Sequence, residues 1–265
     1  MRPPAADSAA VDRLHQAALR AGEDAEAARG VLGECGEESV LVALLRRAVP
    51  VRFLEQVAAT PPWSDRPLVL ARVVQNPRVP RGLALRLVSM LYWRDLADVS
   101  ATAWVAGAVR VRAEANLRDM LPEMRLGDRI TLAKLAMPPV LLPLLADADA
   151  KVVEAVLQNP RLREEDLLTA IRRETVSRHL LEAASRAGRW SERYAIRLAL
   201  ALQARTPLPI GLLQLSSLLK ADLIRVSQTE TLAPLVRAAA LATVERMAGP
   251  RGSSSHSRTL KDSAR

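Results

Sequence analysis

Two ten-residue runs of this chain nearly repeat each other. Leu70-Ala71-Arg72-Val73-Val74-Gln75-Asn76-Pro77-Arg78-Val79 returns as Val153-Glu154-Ala155-Val156-Leu157-Gln158-Asn159-Pro160-Arg161-Leu162. The shared Asn-Pro step constrains the fold most. Proline disfavours the α conformation of the residue before it, so a helix must stop near Gln75 and again near Gln158. Asparagine then serves the turn with its own side chain. An apolar stripe follows each stop: Leu83, Leu87 and Leu91 after the first, Leu167, Leu168 and Ile171 after the second. Spacings of three and four put those side chains on one helix face. The pattern is helix, Asn-Pro turn, helix.

A third copy aligns as Leu198-Ala199-Leu200-Ala201-Leu202-Gln203, continuing into Ala204-Arg205-Thr206-Pro207-Leu208-Pro209. Gln75 and Gln158 lie 83 residues apart, and Gln158 and Gln203 lie 45 apart. Two units of about 42 residues and one of about 45 fit the period of two-helix repeat arrays. Leu132-Ala133-Lys134-Leu135-Ala136-Met137-Pro138-Pro139-Val140 is a fainter echo.

Composition agrees with helices. Rings are only 3% of the chain, so the core must be built from Leu, Ala and Val. Strand-rich domains use more aromatic and β-branched residues, and no alternating run bounded by hairpin signals stands out. The expected helices are 7–20, 23–34, 38–48, 51–59, 95–109, 110–121, 127–136, 139–146, 174–187, 189–203, 210–226 and 231–247, besides those flanking the Asn-Pro steps. Gly36, Pro50, Pro61-Pro62, Pro122, Gly127, Gly188 and Pro207 punctuate them. Residues 1–6 and the small, polar stretch 249–265 read as disordered. Residues 7–60 read as a helical N-terminal cap and 61–248 as one repeat array.

These units resemble bacterial helical repeat proteins of the HEAT-like superfamily, and the Asn-Pro junction resembles that of the leucine-rich-repeat variant. The resemblance covers roughly residues 65–220. It implies an all-α fold, an α-α superhelix (a HEAT-like solenoid) of about five helix pairs with a concave face. It implies no reaction, because a fold does not fix a function. Ala204-Arg205 stands where the third copy should have Asn-Pro, and residues 92–125 match no copy.

Chemistry-bearing motifs are scarce. One cysteine cannot make a disulfide framework or a Cys-rich zinc module. Cys35 sits among Glu34, Glu37 and Glu38, which disfavour a thiolate. His15, His179 and His256 are not at ligand spacing, so no metal and no cofactor is expected. Asp147-Ala148-Asp149 lacks the remaining ligands of a calcium loop and reads as a turn capping a helix that begins near Lys151. Glu164, Glu165 and Asp166 fall in the first turn of a helix, where they complement its positive end. Arg110, Glu114 and Arg118 read as an internally paired ladder.

The chain carries 34 Arg against 4 Lys and a net charge of +9. Residues 61–120 and 189–248 hold +4 each and the tail 249–265 holds +3, so the excess is not one patch. Arg189, Arg193 and Arg197 recur every four residues and would form one stripe of a helix 189–203. Trp190 and Tyr194 flank the stripe, and Arg172 and Arg173 are expected nearby. Arginines beside rings suit phosphate contact and base stacking; the alternative is that the rings are core anchors and the arginines a solvated face.

With no catalytic constellation, the leading expectation is a non-enzymatic interaction scaffold in the cytoplasm, binding a protein or peptide partner on a curved surface. Nucleic-acid binding through the arginine stripe is the alternative. The alkylpurine DNA glycosylases, HEAT-like enzymes with Trp, Arg and Asp on a basic concave face, offer a third reading. Trp93, Trp104, Arg94 and Asp95 are residues of those types here, but no motif aligns residue by residue, so no catalytic role is carried over. The longest uncharged run, Thr206–Leu219, is 14 residues, too short to span a bilayer, so no membrane partner is expected.

Overall fold

Each Asn-Pro step ends a helix where the sequence places it. A computed structural model gives the fold of residues 8–248; the expectations for residues 1–6 and 249–265 lie outside those described. All regular structure among the described residues is helical, with no strand. The helices α1 to α11 are Ser8–Ala21, Ala25–Gly33, Glu38–Leu45, Val51–Ala59, Pro67–Gln75, Arg81–Leu87, Trp93–Ala101, Gly107–Met120, Leu126–Leu135, Pro138–Leu144 and Ala150–Gln158. Next come α12 (Glu164–Ile171), α13 (Arg178–Arg186), α14 (Gly188–Ser191), α15 (Tyr194–Leu202), α16 (Leu208–Leu215), α17 (Lys220–Gln228) and α18 (Pro234–Ala248). No helix among the described residues is long and apolar enough to cross a membrane.

The chain divides between Asp166 and Leu167 into two compact units. In the first, α3 packs on α1 and α5, α7 on α5 and α9, and α9 on α11, while α2 packs on α4, α6 on α8 and α8 on α10. In the second, α15 packs on α13, α16 and α17, and α18 on α16 and α17. A helix thus meets both its neighbour and the helix after next, which buries two sides of a short amphipathic rod.

The Asn-Pro asparagines are structural clamps. Asn76 Nδ2 donates to the carbonyls of Leu45 and Arg47 at 2.8 and 2.7 Å, at the end of α3. Asn159 Nδ2 donates to Ala133 and Ala136 at 2.8 and 3.2 Å, at the end of α9. Each Oδ1 accepts the backbone N–H two residues on, from Arg78 and Arg161. Helix ends leave carbonyls without partners, and a buried carboxamide from a neighbouring helix satisfies them.

This geometry corrects the register of the third copy. Gln203 Nε2 donates to Ile171 and Arg173, and its Oε1 accepts from Arg205 N–H. Gln203 therefore stands where Asn76 and Asn159 stand, not at the level of Gln75 and Gln158. The arginine two residues on joins the clamp twice: Arg161 donates to Leu135 O and Arg205 to Glu174 O. The recurring signature is Asn or Gln, any residue, then Arg.

A longer repeat sits above the short one. The helices α4, α5 and α7 recur as α13, α15 and α17 with a shift of 127 residues at both ends, as from Pro67–Gln75 to Tyr194–Leu202. Residues 40–120 align with 167–247 without a gap. Trp63-Ser64-Asp65-Arg66 matches Trp190-Ser191-Glu192-Arg193, and Asp95-Leu96 matches Asp222-Leu223. One core cluster of the second unit consists of Ala201, Leu215, Leu218, Leu223, Val226, Leu232, Val236 and Ala240. The residues 127 places earlier, Val74, Val88, Leu91, Leu96, Val99, Val105, Val109 and Ala113, are all buried as well. The two units contain tandem copies of one design.

Three expected helices prove to be broken. The segment 95–109 is interrupted by a turn after α7, where Thr102 Oγ1 donates back to Asp98 O. The segment 210–226 is interrupted after α16, where the hydroxyls of Ser216 and Ser217 donate to Leu213 O and Gln214 O. Such side-chain bonds compete with the helix backbone for its carbonyls. The third, 189–203, carries the arginine stripe.

Candidate functional site

Arg189 lies on α14 and Arg197 on α15, with Arg193 at the cap between them, where its backbone is extended (φ −79°, ψ 124°). The helical stripe does not exist. Its reason is the repeated turn: Arg66, the counterpart of Arg193, is likewise extended and caps α5. The side chains nevertheless converge. Trp190 is 1% exposed, with the guanidinium carbons of Arg189 and Arg193 at 4.5 and 5.7 Å from its ring centroid. Arg197 Nε donates to Ser191 O at 2.6 Å. The Tyr194 hydroxyl donates to Asp222 and accepts from Leu219 N–H; burial and the bond to Asp222 hold its phenol above the ordinary range. Trp190 is a core anchor, and these groups tie α14, α15 and α17 together. Arg173 presents its backbone carbonyl to Gln203, while Arg172 lines a cleft of the second unit.

The residue that the helical reading of 95–109 hid is Trp104. It lies in the turn after α7 and is 70% exposed, yet its Nε1 donates to Gln75 O at 2.9 Å. One hydrogen bond to the end of α5 thus holds a large ring in water. Beneath it is a cleft of about 440 Å³ lined by Leu45, Arg46, Arg72, Gln75, Pro77 and Trp104. Three helix C-termini, those of α3, α5 and α7, meet there. Partial negative charge at such ends favours arginine. Arg72 Nη1 donates to Gln75 Oε1, and its Nε is buried with no hydrogen-bond partner among the described residues. Burial, then Asp98, raises the Asp95 carboxyl pKa, against the pull of Arg72. Arg46 is in no ion pair among the described residues.

No family model, curated protein or solved structure matches this chain. The site is therefore read from its own chemistry. It offers cations, an amide and an exposed indole above aliphatic walls, an arrangement for binding an anion that carries apolar surface.

Several of the remaining polar motifs have local partners. Asp149 Oδ1 accepts from Lys151 N–H and caps α11, while Asp147 pairs with Arg129 at 2.9 Å. His15 Nε2 donates to Ala48 O, and His256 lies outside the described residues. Among the described residues no three of His, Cys, Asp and Glu gather in a metal-holding group. Glu114 is raised by burial, with Arg110 and Arg118 pulling it down.

Cys35 is 3% exposed, and its Sγ donates to Val31 O at 3.5 Å. Burial, then the Glu34 carboxylate, pushes the thiol pKa up to about 11. At pH 8 only about one thiol in a thousand is then thiolate, the reactive form. Native protein should resist an aromatic disulfide reagent at pH 8, with labelling appearing only as urea unfolds the chain. Rapid stoichiometric labelling without urea would contradict this burial.

Proposed function

We propose that this protein is a non-enzymatic binding array, a HEAT-like α-α superhelix that holds an acidic, partly apolar peptide segment of a protein partner in the Trp104 cleft. The observation that carries the reading is Trp104 itself. An indole costs free energy when left in water, and this one is held there, at a cleft that Arg46 and Arg72 also line, by a hydrogen bond to Gln75 O. Tryptophan and arginine dominate the energetics of protein interfaces. Support for the superhelix comes from the packing of alternate helices, α3 on α5, α5 on α7 and α7 on α9. The arginines of the cleft form a local pair rather than a track for a phosphate backbone. Carboxylates serve arginine as bidentate partners, and the aliphatic walls suit leucine-like side chains.

The test is a titration of the full chain with a fluorescein-labelled twelve-residue peptide of Asp, Glu and Leu, followed by anisotropy and by indole emission. Binding should quench tryptophan emission, and Trp104→Ala should weaken it at least tenfold, as expected of an interface hot spot. Equal affinity of the variant sinks the reading. So does tighter binding of single-stranded oligo-dT that falls steeply with salt, which would assign the cleft to nucleic acid.

A further inference from the structure

The second tandem copy carries a cleft at the same place in the fold. It measures about 450 Å³ and is lined by Arg172, Leu198, Ala199, Leu202, Gln203 and Arg225. Under the 127-residue shift, Arg172, Ala199 and Leu202 correspond to Leu45, Arg72 and Gln75 of the first cleft. The lining residues have changed, but the charge has not. Arg72 is replaced by Ala199, which removes a guanidinium. Asp98 is replaced by Arg225, which supplies one. Leu45 is replaced by Arg172, one residue before the counterpart of Arg46. Among the described residues lining it, each cleft therefore has two arginines and no carboxylate, although the pairs come from different positions. Arg172 and Arg225 are exposed and, among the described residues, in no ion pair.

We infer that the Arg172–Arg225 cleft is a second binding site for an acidic peptide segment, so that one chain engages two such segments. This rests on reading the first cleft as a peptide site. Thr231 stands where the first copy has Trp104, and no ring lines the second cleft. Base stacking, the main sequence-tolerant contact to single-stranded nucleic acid, has no platform there. What the two clefts share is a guanidinium pair over aliphatic walls, which matches carboxylates on a chain with apolar side chains. The second site should be the weaker, because it lacks the aromatic anchor.

The experiment is calorimetric titration of the full chain with the same short peptide, read together with indole quenching. Two binding events per chain are expected, the tighter one quenching. Arg172→Glu with Arg225→Glu should abolish the weaker event and leave the quenching one; Arg172→Ala with Arg225→Ala should weaken it at least tenfold. Arg46→Glu should do the reverse. Circular dichroism should report unchanged helix in each. A single event that ignores the Arg172 and Arg225 changes overturns the second site and leaves the first standing. An event lost in those variants, without any quenching sensitive to Arg46, keeps the second site and overturns the reading of the Trp104 cleft. No binding at all, or displacement of the peptide from both clefts by oligo-dT, overturns both.

Discussion

Asn159→Asp should lower the unfolding free energy by at least 3 kcal/mol, and Asn159→Leu by about 3 kcal/mol. The side chain is 1% exposed. Its Nδ2 bonds to Ala133 O and Ala136 O, and its Oδ1 bonds to Arg161 N–H. Leucine keeps the volume and removes all three bonds, orphaning buried backbone groups at a cost of about 1–3 kcal/mol each before relaxation. Aspartate keeps the shape and the accepted bond. It replaces two donors with a carboxylate oxygen facing carbonyl oxygens, which adds repulsion. Asn76→Leu should cost a similar amount, because Asn76 is 3% exposed and makes the same three bonds. Gln203→Leu should cost less, since its clamp is partly solvated. Urea unfolding followed by circular dichroism checks the order. An Asn159→Asp protein within about 0.5 kcal/mol of the parent, the scatter of surface substitutions, would show that the clamp is incidental.

The same clamp explains what could be read in advance. Proline disfavours the α conformation of the residue before it, and α5 and α11 end at Gln75 and Gln158, just before the Asn-Pro steps. The third copy was legible only to within one residue. Aligning glutamine with glutamine puts Gln203 beside Gln75, whereas the fold needs a carboxamide at the cap, and glutamine reaches the same carbonyls with one extra methylene. The 127-residue repeat is harder to see, because cores accept aliphatic exchanges of similar volume. Val74 has become Ala201 and Val88 has become Leu215 while both positions stay buried. What persists is scattered: Trp63 and Trp190, Pro80 and Pro207, Asp95 and Asp222. The Trp-Ser-acid-Arg turn was the signal that could have split the arginine stripe, since Pro67 follows its first copy and marks a helix start. The Trp104 cleft had no such signal. Three helix ends far apart in sequence make it, and helical periodicity runs straight through the turn that exposes the ring.

Trp190→Ala should lower the unfolding free energy by about 4 kcal/mol, within the range for deleting a buried large ring. Trp190 is the largest of the fully buried side chains, and the helices around it are short. An alanine there leaves a void beside α14, which is only four residues long and is tied to α15 by the Arg197–Ser191 bond. Its counterpart Trp63 is half-buried, so Trp63→Ala should cost visibly less although the local sequence is nearly the same. Arg189→Ala and Arg193→Ala remove one stacked guanidinium each and should cost about 0.5–2 kcal/mol, the range for a cation–π contact from exposed to desolvated. These two variants also separate structure from recognition. If the arginines serve the Trp190 ring, urea midpoints fall and peptide affinity at the Trp104 cleft stays the same. If either variant leaves stability untouched and abolishes ligand binding, the ring is part of a binding surface, and the assignment of Trp190 as a core anchor fails.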